Sequence, residues 1–246
     1  MDPSYGREYR ELYRRHWWWR VREGEILHEL RTLQPASGWQ HLLDVGCGDG
    51  LFFDQLSRFG AVEGIEPDAS LLDPAGKWRS AIHVVPFDER FQPPHRFDVI
   101  LMLDVLEHLE HPDRALRHAI SLLSPGGYLL CTVPALSWIW TRHDEINQHY
   151  RRYDRRSFRA LARIAGLDIL RERYLFQWLV GAKLLVRGME LLVPGKPSLP
   201  GIPSRPVNAL IRGVTTIEQR INRLVPMPLG SSLLVVGRSV DVKATR

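Results

Sequence analysis

Cysteine is almost absent from this chain: two in 246 residues, Cys47 and Cys131. That excludes a disulfide scaffold and a cysteine-rich zinc module. Lysine is nearly as scarce, with four among the 33 basic residues; the other 29 are arginine. A long uncharged apolar run is missing too. The most apolar stretch, 176–193, is interrupted by Gln177, Lys183, Arg187 and Glu190, which argues against a transmembrane helix. There is no internal repeat, no low-complexity tract and no strong charge of one sign. The net charge of +5 is mild for this length and does not fit a nucleic-acid binder, while the arginine forks suit one anion site. The polar start MDPSYGREYR carries no secretory signal. With so few cysteines, the expected setting is reducing and cytoplasmic.

What is present is ordinary globular composition, 44% apolar and 25% charged, long enough for one large domain with a real core. The first 35 residues have a helical apolar pattern that includes Trp17, Trp18 and Trp19, ended by Pro35, Ser37 and Gly38. Strand and helix signals then alternate. Strands are predicted at 41–45, 61–66, 81–85, 97–103, 128–133 and 167–174, and helices at 51–59, 112–123 and 157–165. Pro112 suits a first helical turn, and Gly60 and Gly166 suit helix ends. The run FDVILML at 97–103 is apolar on both faces, as a doubly covered strand requires. This alternation implies an α/β fold with a mostly parallel sheet, whose ligands bind beyond the carboxyl ends of the strands. Further on come an apolar helix at 175–192, a proline-rich loop at 194–206, an amphipathic helix at 207–224 and a last strand at 231–240. The divisions are 1–38 as an N-terminal helical lid, 39–174 as a ligand-binding core, 175–230 as a helical insertion and 231–246 as last strand and tail, all one domain.

The first strand ends in Asp44-Val45-Gly46-Cys47-Gly48-Asp49-Gly50. Glycines there allow close backbone approach, and a helix start offers free N–H groups. The dinucleotide pattern G-x-G-x-x-G needs glycine where Leu51 stands, so a pyrophosphate cradle and a nicotinamide dehydrogenase are disfavoured. Asp44 and Asp49 suit a cation better than a diphosphate. Glu66 ends the second strand, where a carboxylate can accept both hydrogen bonds of a ribose diol.

DVGCGDG, Glu66 in GIEPD, FDVILMLDVLEHLEHP and LLSPGGYLLCTVPA, in this order over residues 40 to 135, resemble the class I S-adenosylmethionine (SAM)-dependent methyltransferases. HWWWRVR (16–22), the segment 132–158 and PLGSSLLVV (228–236) are similar to a large bacterial subgroup of that family. The resemblance implies a Rossmann-like sheet of seven strands, with 231–240 as the antiparallel seventh lying between the fifth and sixth. It implies that Asp44, Gly46, Cys47, Gly48 and Gly50 surround the methionine part of SAM, and that Glu66 binds the ribose. Phe87 and Asp88 would flank the adenine, and Leu103 and Asp104 would lie near the amino-acid end. Cys47 is read as a small filler, since no base stands beside it.

The implied reaction moves a methyl group to a small-molecule acceptor, namely an oxygen of a sugar, a polyketide or another natural-product or glycan metabolite. An acceptor hydroxyl must lose its proton. His108, His149 and His143 are the candidates for this work, and three roles stay open. His108 is a structural hydrogen-bonder; or His149 or His143 is a general base; or Asp104, Glu107, His108 and His149 hold a divalent metal. The last pattern resembles the metal-dependent small-RNA 2′-O-methyltransferases and ubiquinone-pathway O-methyltransferases, with Asp104 where those have glutamate. Trp138 and Trp140 are candidates for an acceptor wall. Arg151, Arg152 and Tyr153 stand at the expected mouth of the site, where the two arginines would grip a phosphate or carboxylate on the acceptor. A SAM-binding protein without turnover is the remaining alternative, and a homodimer is an expected assembly.

Overall fold

The computed structural model describes residues 10–192 and 201–239. Seven strands form one sheet: β1 His41–Val45, β2 Ala61–Ile65, β3 Ile82–His83, β4 Phe97–Leu103, β5 Leu123–Pro134, β6 Leu167–Leu175 and β7 Ser232–Ser239. Their order is β3-β2-β1-β4-β5-β7-β6. β7 runs antiparallel to both β5 and β6, while the pairs from β3 through β5 are parallel. The expected antiparallel strand between the fifth and sixth is therefore present.

Side-chain alternation along the strands feeds two cores. Leu43, Val45, Ile100 and Met102 face one way, onto the helices Pro112–Leu122 and Arg155–Ala165. Leu42, Val99, Leu101 and Leu130 face the other, where Trp17, Val21, Ile26 and Leu30 of the helix Trp17–Leu33 cover them. That N-terminal helix also buries charge. Its Glu25 and Glu29 meet Arg173 and Arg171 of β6. It is thus half of a core as well as a cover. Of the three tryptophans, Trp17 is buried, and Trp18 stacks on Phe176 with ring centroids 5.5 Å apart.

Several sequence expectations need correction. The helix expected at 51–59 is one short turn, Phe53–Leu56. β3 has only two residues, Ile82 and His83, which pair with β2 at one edge of the sheet. β5 begins at Leu123, five residues before the expected start at 128, with a register irregularity against β4. The C-terminal helices are Trp178–Leu192 and Arg205–Leu224; residues 193–200 of the expected loop and 240–246 of the expected tail lie outside the described residues. Among the described residues no helix is long and apolar enough to cross a membrane.

Candidate active site

β1 delivers Asp44 and the glycine loop to the carboxyl edge of the sheet. Gly46 has φ +72°, and a Cβ there would stand 2.8 Å from Val105 Cγ2; both facts demand glycine. Asp44 is buried, and loss of water pushes its pKa up to about 7, against the pull of Arg22. Cys47 Sγ packs against Gly64 of β2, and burial pushes its thiol far up, so it is a filler and no thiolate.

Glu66 follows β2, as expected. One carboxylate oxygen accepts from Gly48 N–H at 3.1 Å and the other from Asp68 N–H at 2.9 Å. The glycine loop and the end of β2 are thereby tied through one side chain. Burial raises its pKa, and the two backbone donors oppose the rise. A carboxylate has about four lone-pair sites, so lone pairs remain for incoming hydroxyls.

β4 ends at Leu103, and Asp104 adopts φ +58°, a strained conformation for a non-glycine residue. Arg22, from the N-terminal helix, donates to Asp104 Oδ2 and lies 5.0 Å over the Trp18 ring. Tyr13, Arg22, Asp44, Gly46, Cys47 and Leu103 share one hollow. Neither Tyr13 nor Arg22 was among the expected site residues. Arg22 stands at the end of the HWWWRVR segment, but nothing local says which strand end it will reach. Phe87 packs near His118, ring centroids 5.0 Å apart, and the carboxylate of the half-buried Asp88 is forked by Arg90.

The segment after β5 builds a second cluster. Asp144 is fully buried. Its Oδ1 faces His149 Nδ1 at 2.9 Å and Arg152 Nε at 2.8 Å, and its Oδ2 accepts from Arg152 and from Thr141 N–H. These donors hold the Asp144 carboxyl far below the usual range in spite of burial. An ionised Asp144 fixes the His149 tautomer with the proton on Nδ1, leaving Nε2 as the basic nitrogen. The His108 ring meets His149 edge-on at 4.8 Å, and burial lowers the pKa of His108. Glu107, His108 and His149 each offer an atom within 4.8 Å of the others. Glu107 Oε2 is buried without a hydrogen bond, and desolvation with the nearby Asp104 charge raises its pKa well above the usual range. Another such group, His41, Glu63 and His95, lies toward the strand starts, where Glu63 already holds His83 and His95 at 2.8 Å each.

Four expectations change here. Arg152 grips no acceptor: it is buried, with its guanidinium spent on Asp144 and the Ala135 carbonyl. Tyr153 is buried as well, its hydroxyl bonded to the Leu106 carbonyl. Asp104 turns to Arg22 and stands outside the Glu107–His108–His149 group. His143 has its Nε2 3.2 Å from Asn147 Nδ2, and burial pushes its pKa down to about 4. Of the other candidates, Arg151 donates to the Glu110 carbonyl. Trp138 is exposed, and Trp140 is half-buried.

A profile of the family described as "Methyltransferase domain" matches residues 7–172. The chain is 31% identical over 147 residues to a ubiquinone biosynthesis O-methyltransferase of Albidiferax ferrireducens, covering 52% of this chain and 57% of that protein. It thus spans about half the length of the curated relatives it matches. Among solved structures, one chain of the complex between the Haloferax volcanii Trm112 methyltransferase activator and a methyltransferase superposes with a TM-score of 0.58 at 17% identity, covering 96% and 94% of the two chains. The [4+2]-cyclase SpnF superposes with a TM-score of 0.54 at 20% identity, covering 87% and 80%. At these identities the likeness is one of fold, and a fold does not determine a reaction.

Proposed function

Since the chain belongs to the class I SAM-dependent methyltransferase family, we propose that it transfers the methyl group of SAM to an oxygen of a small-molecule acceptor. The observation that carries this reading is Glu66, whose carboxylate spans the glycine loop and the end of β2 with lone pairs to spare. The residues fit the group. Glu66 takes the two ribose hydroxyls. Arg22 and Asp104, paired here with each other, match the opposite charges of an α-amino acid, so Arg22 takes its carboxylate while Asp104 and Asp44 face its ammonium. Gly46, Cys47, Gly48 and Gly50 keep the wall low, Leu103 lines the same hollow, and Phe87 and Asp88 flank the base. When bound, SAM supplies an electrophilic methyl on a sulfonium.

Transfer is an in-line displacement, so alignment supplies much of the rate. The acceptor oxygen forms the new O–C bond as the S–C bond breaks. His149 Nε2 accepts the hydroxyl proton, while Asp144 holds the ring and steadies the imidazolium that forms. The relatives' name, O-methyltransferase, supports an oxygen acceptor. A sugar, polyketide or related metabolite stays the proposed class, with Trp138 and Trp140 as its wall and residues 175–230 as the cover. Lys183 and Glu190 of that cover reach toward Asp144 and Arg142, which supports the cover's position.

The test is a thermal shift with S-adenosylhomocysteine. At 100-fold over its dissociation constant a ligand stabilises by about 2.7 kcal/mol, on the order of 5–10 °C for a domain this size. Glu66→Gln removes most of that shift while leaving the unliganded melting temperature within a few degrees. An unchanged shift in the variant overturns the ribose assignment.

A second reading is favoured by the unpartnered Glu107 Oε2: a divalent cation held by Glu107, His108 and His149. Imidazoles with a carboxylate suit Zn²⁺, Mn²⁺ or Mg²⁺, and such an ion would lower the pKa of an acceptor hydroxyl. The two readings exclude each other at His149 Nε2. His149→Gln cuts turnover about 10²–10⁴-fold in either case. EDTA leaves turnover intact if His149 is the base, and abolishes it, with rescue by added metal, if the cluster is a metal site.

A further inference from the structure

The helix Arg205–Leu224 is turned inside out. Its polar residues face the protein: Thr215, Gln219 and Asn222 are fully buried. Asn208 accepts from Trp17 N–H and donates to the Arg15 carbonyl. Thr215 Oγ1 accepts from Trp178 Nε1 at 3.0 Å, and Asn222 donates to the Tyr174 carbonyl at 2.6 Å. Its large aliphatic residues face outward. Val207, Leu210, Val214, Ile217, Ile221 and Leu224 are each between 46% and 84% exposed. A surface helix ordinarily buries its apolar stripe, and a contiguous exposed one marks an interaction site.

The stripe also has a definite form. Its residues recur at alternating steps of three and four, the seam of a helix pair. Such a seam is narrow and matches a second helix. The spacing also reads the same from either end. In an antiparallel pair Val207 faces Leu224, Leu210 faces Ile221 and Val214 faces Ile217, so two copies of this helix form three complementary layers on each side of a twofold axis. The flanks agree. In that register Gly213 faces Arg220, and Ile211 faces Glu218, so no flanking arginine meets another. At roughly 90 Å² of apolar surface per covered aliphatic side chain, the six residues bury on the order of 1,000 Å² across two copies, the size at which an interface becomes specific.

We propose that the protein is a homodimer joined through this helix, two copies packing Val207–Leu224 antiparallel about a twofold axis. The assembly is independent of the acceptor and of the chemistry at Glu66 and His149.

Sedimentation velocity of the full chain from about 1 to 100 μM tests it. The expected result is a dimer. Leu210→Glu and Ile217→Glu, each made separately, place uncompensated charge in the seam and weaken the dissociation constant by about a hundredfold or more. Both residues are exposed on the single chain, so each variant still unfolds cooperatively and keeps its shift with S-adenosylhomocysteine, and any fall in melting temperature is limited to the stabilisation that dimerisation supplied. A monomer at every concentration overturns the proposal, as does a dimer that persists in both variants. A monomeric chain that floats with phosphatidylglycerol vesicles, and whose glutamate variants do not, overturns it in favour of a lipid surface.

Discussion

Asp44 is buried, and its desolvation, aided by the nearby Glu66 charge, outweighs the pull of Arg22, so its pKa rises to about 7. In the unfolded chain its affinity for protons is that of an ordinary carboxylate, near pH 4. The folded state binds the proton more tightly, so the stability Asp44 contributes is fully present below about pH 4 and is lost as pH rises through about 7. Asp44→Asn keeps the shape without the charge. The ligand-free variant should therefore melt above wild type at pH 8, and the gap should close toward pH 4.5, as read by thermal unfolding across that range. A gap of constant size would mean that packing, and not protonation, separates the two. Under the proposed function, the same buried carboxylate that costs stability in the empty site attracts a sulfonium or ammonium.

The connection from β5 to the helix Arg155–Ala165 is an element held by one ion cluster. Asp144 takes Thr141, His149 and both arms of the Arg152 fork, and the capping box at Thr141 depends on it. Its carboxyl is held below the ordinary range, so its contribution is present at neutral pH and disappears on acidification. Asp144→Asn strands the buried Arg152, and breaking a buried pair in this way costs about 3–5 kcal/mol. The expected outcome is a urea midpoint well below wild type, with turnover lost together with His149 alignment. A variant with wild-type stability would show that the segment is held by its apolar contacts alone. Legibility was uneven in this element. His149 was visible as a histidine after the fifth strand. The position of Arg152 beside Arg151 and Tyr153, at the expected mouth of the site, points to a grip on the acceptor, and only the fold reveals that it turns inward onto a buried carboxylate.

At the scale of the molecule, the N-terminal helix joins several separate parts of the fold. It supplies Trp17, Val21, Ile26 and Leu30 to one core, Glu25 and Glu29 to the arginines of β6, and Arg22 to Asp104. Deleting residues 1–33 exposes the apolar face formed by Leu42, Val99, Leu101 and Leu130. The expected product is aggregated, with no cooperative transition and no response to S-adenosylhomocysteine, checked by size exclusion and thermal scanning. A monodisperse truncation that still binds would return the helix to the status of a detachable lid.

Strand positions were legible where burial on both faces leaves an unbroken apolar run, as at 97–103, and where glycines close a strand end, as at 46–50. The edge strand β3 is shorter than expected because the apolar letters of 81–85 run on past Ile82 and His83, the two residues that pair with β2. The helix at 205–224 was legible as amphipathic, but its hydrophobic period says only that one face is apolar and not which way that face points. Local sequence determined the order of elements, the glycine loop and the acidic residue after β2, since each depends on neighbours a few residues away. Tertiary structure alone decided that Arg22 meets Asp104 across 82 positions, that Arg152 is buried, and that an apolar stripe faces solvent. Those outcomes depend on which surfaces meet after the chain closes, and no short-range pattern encodes that.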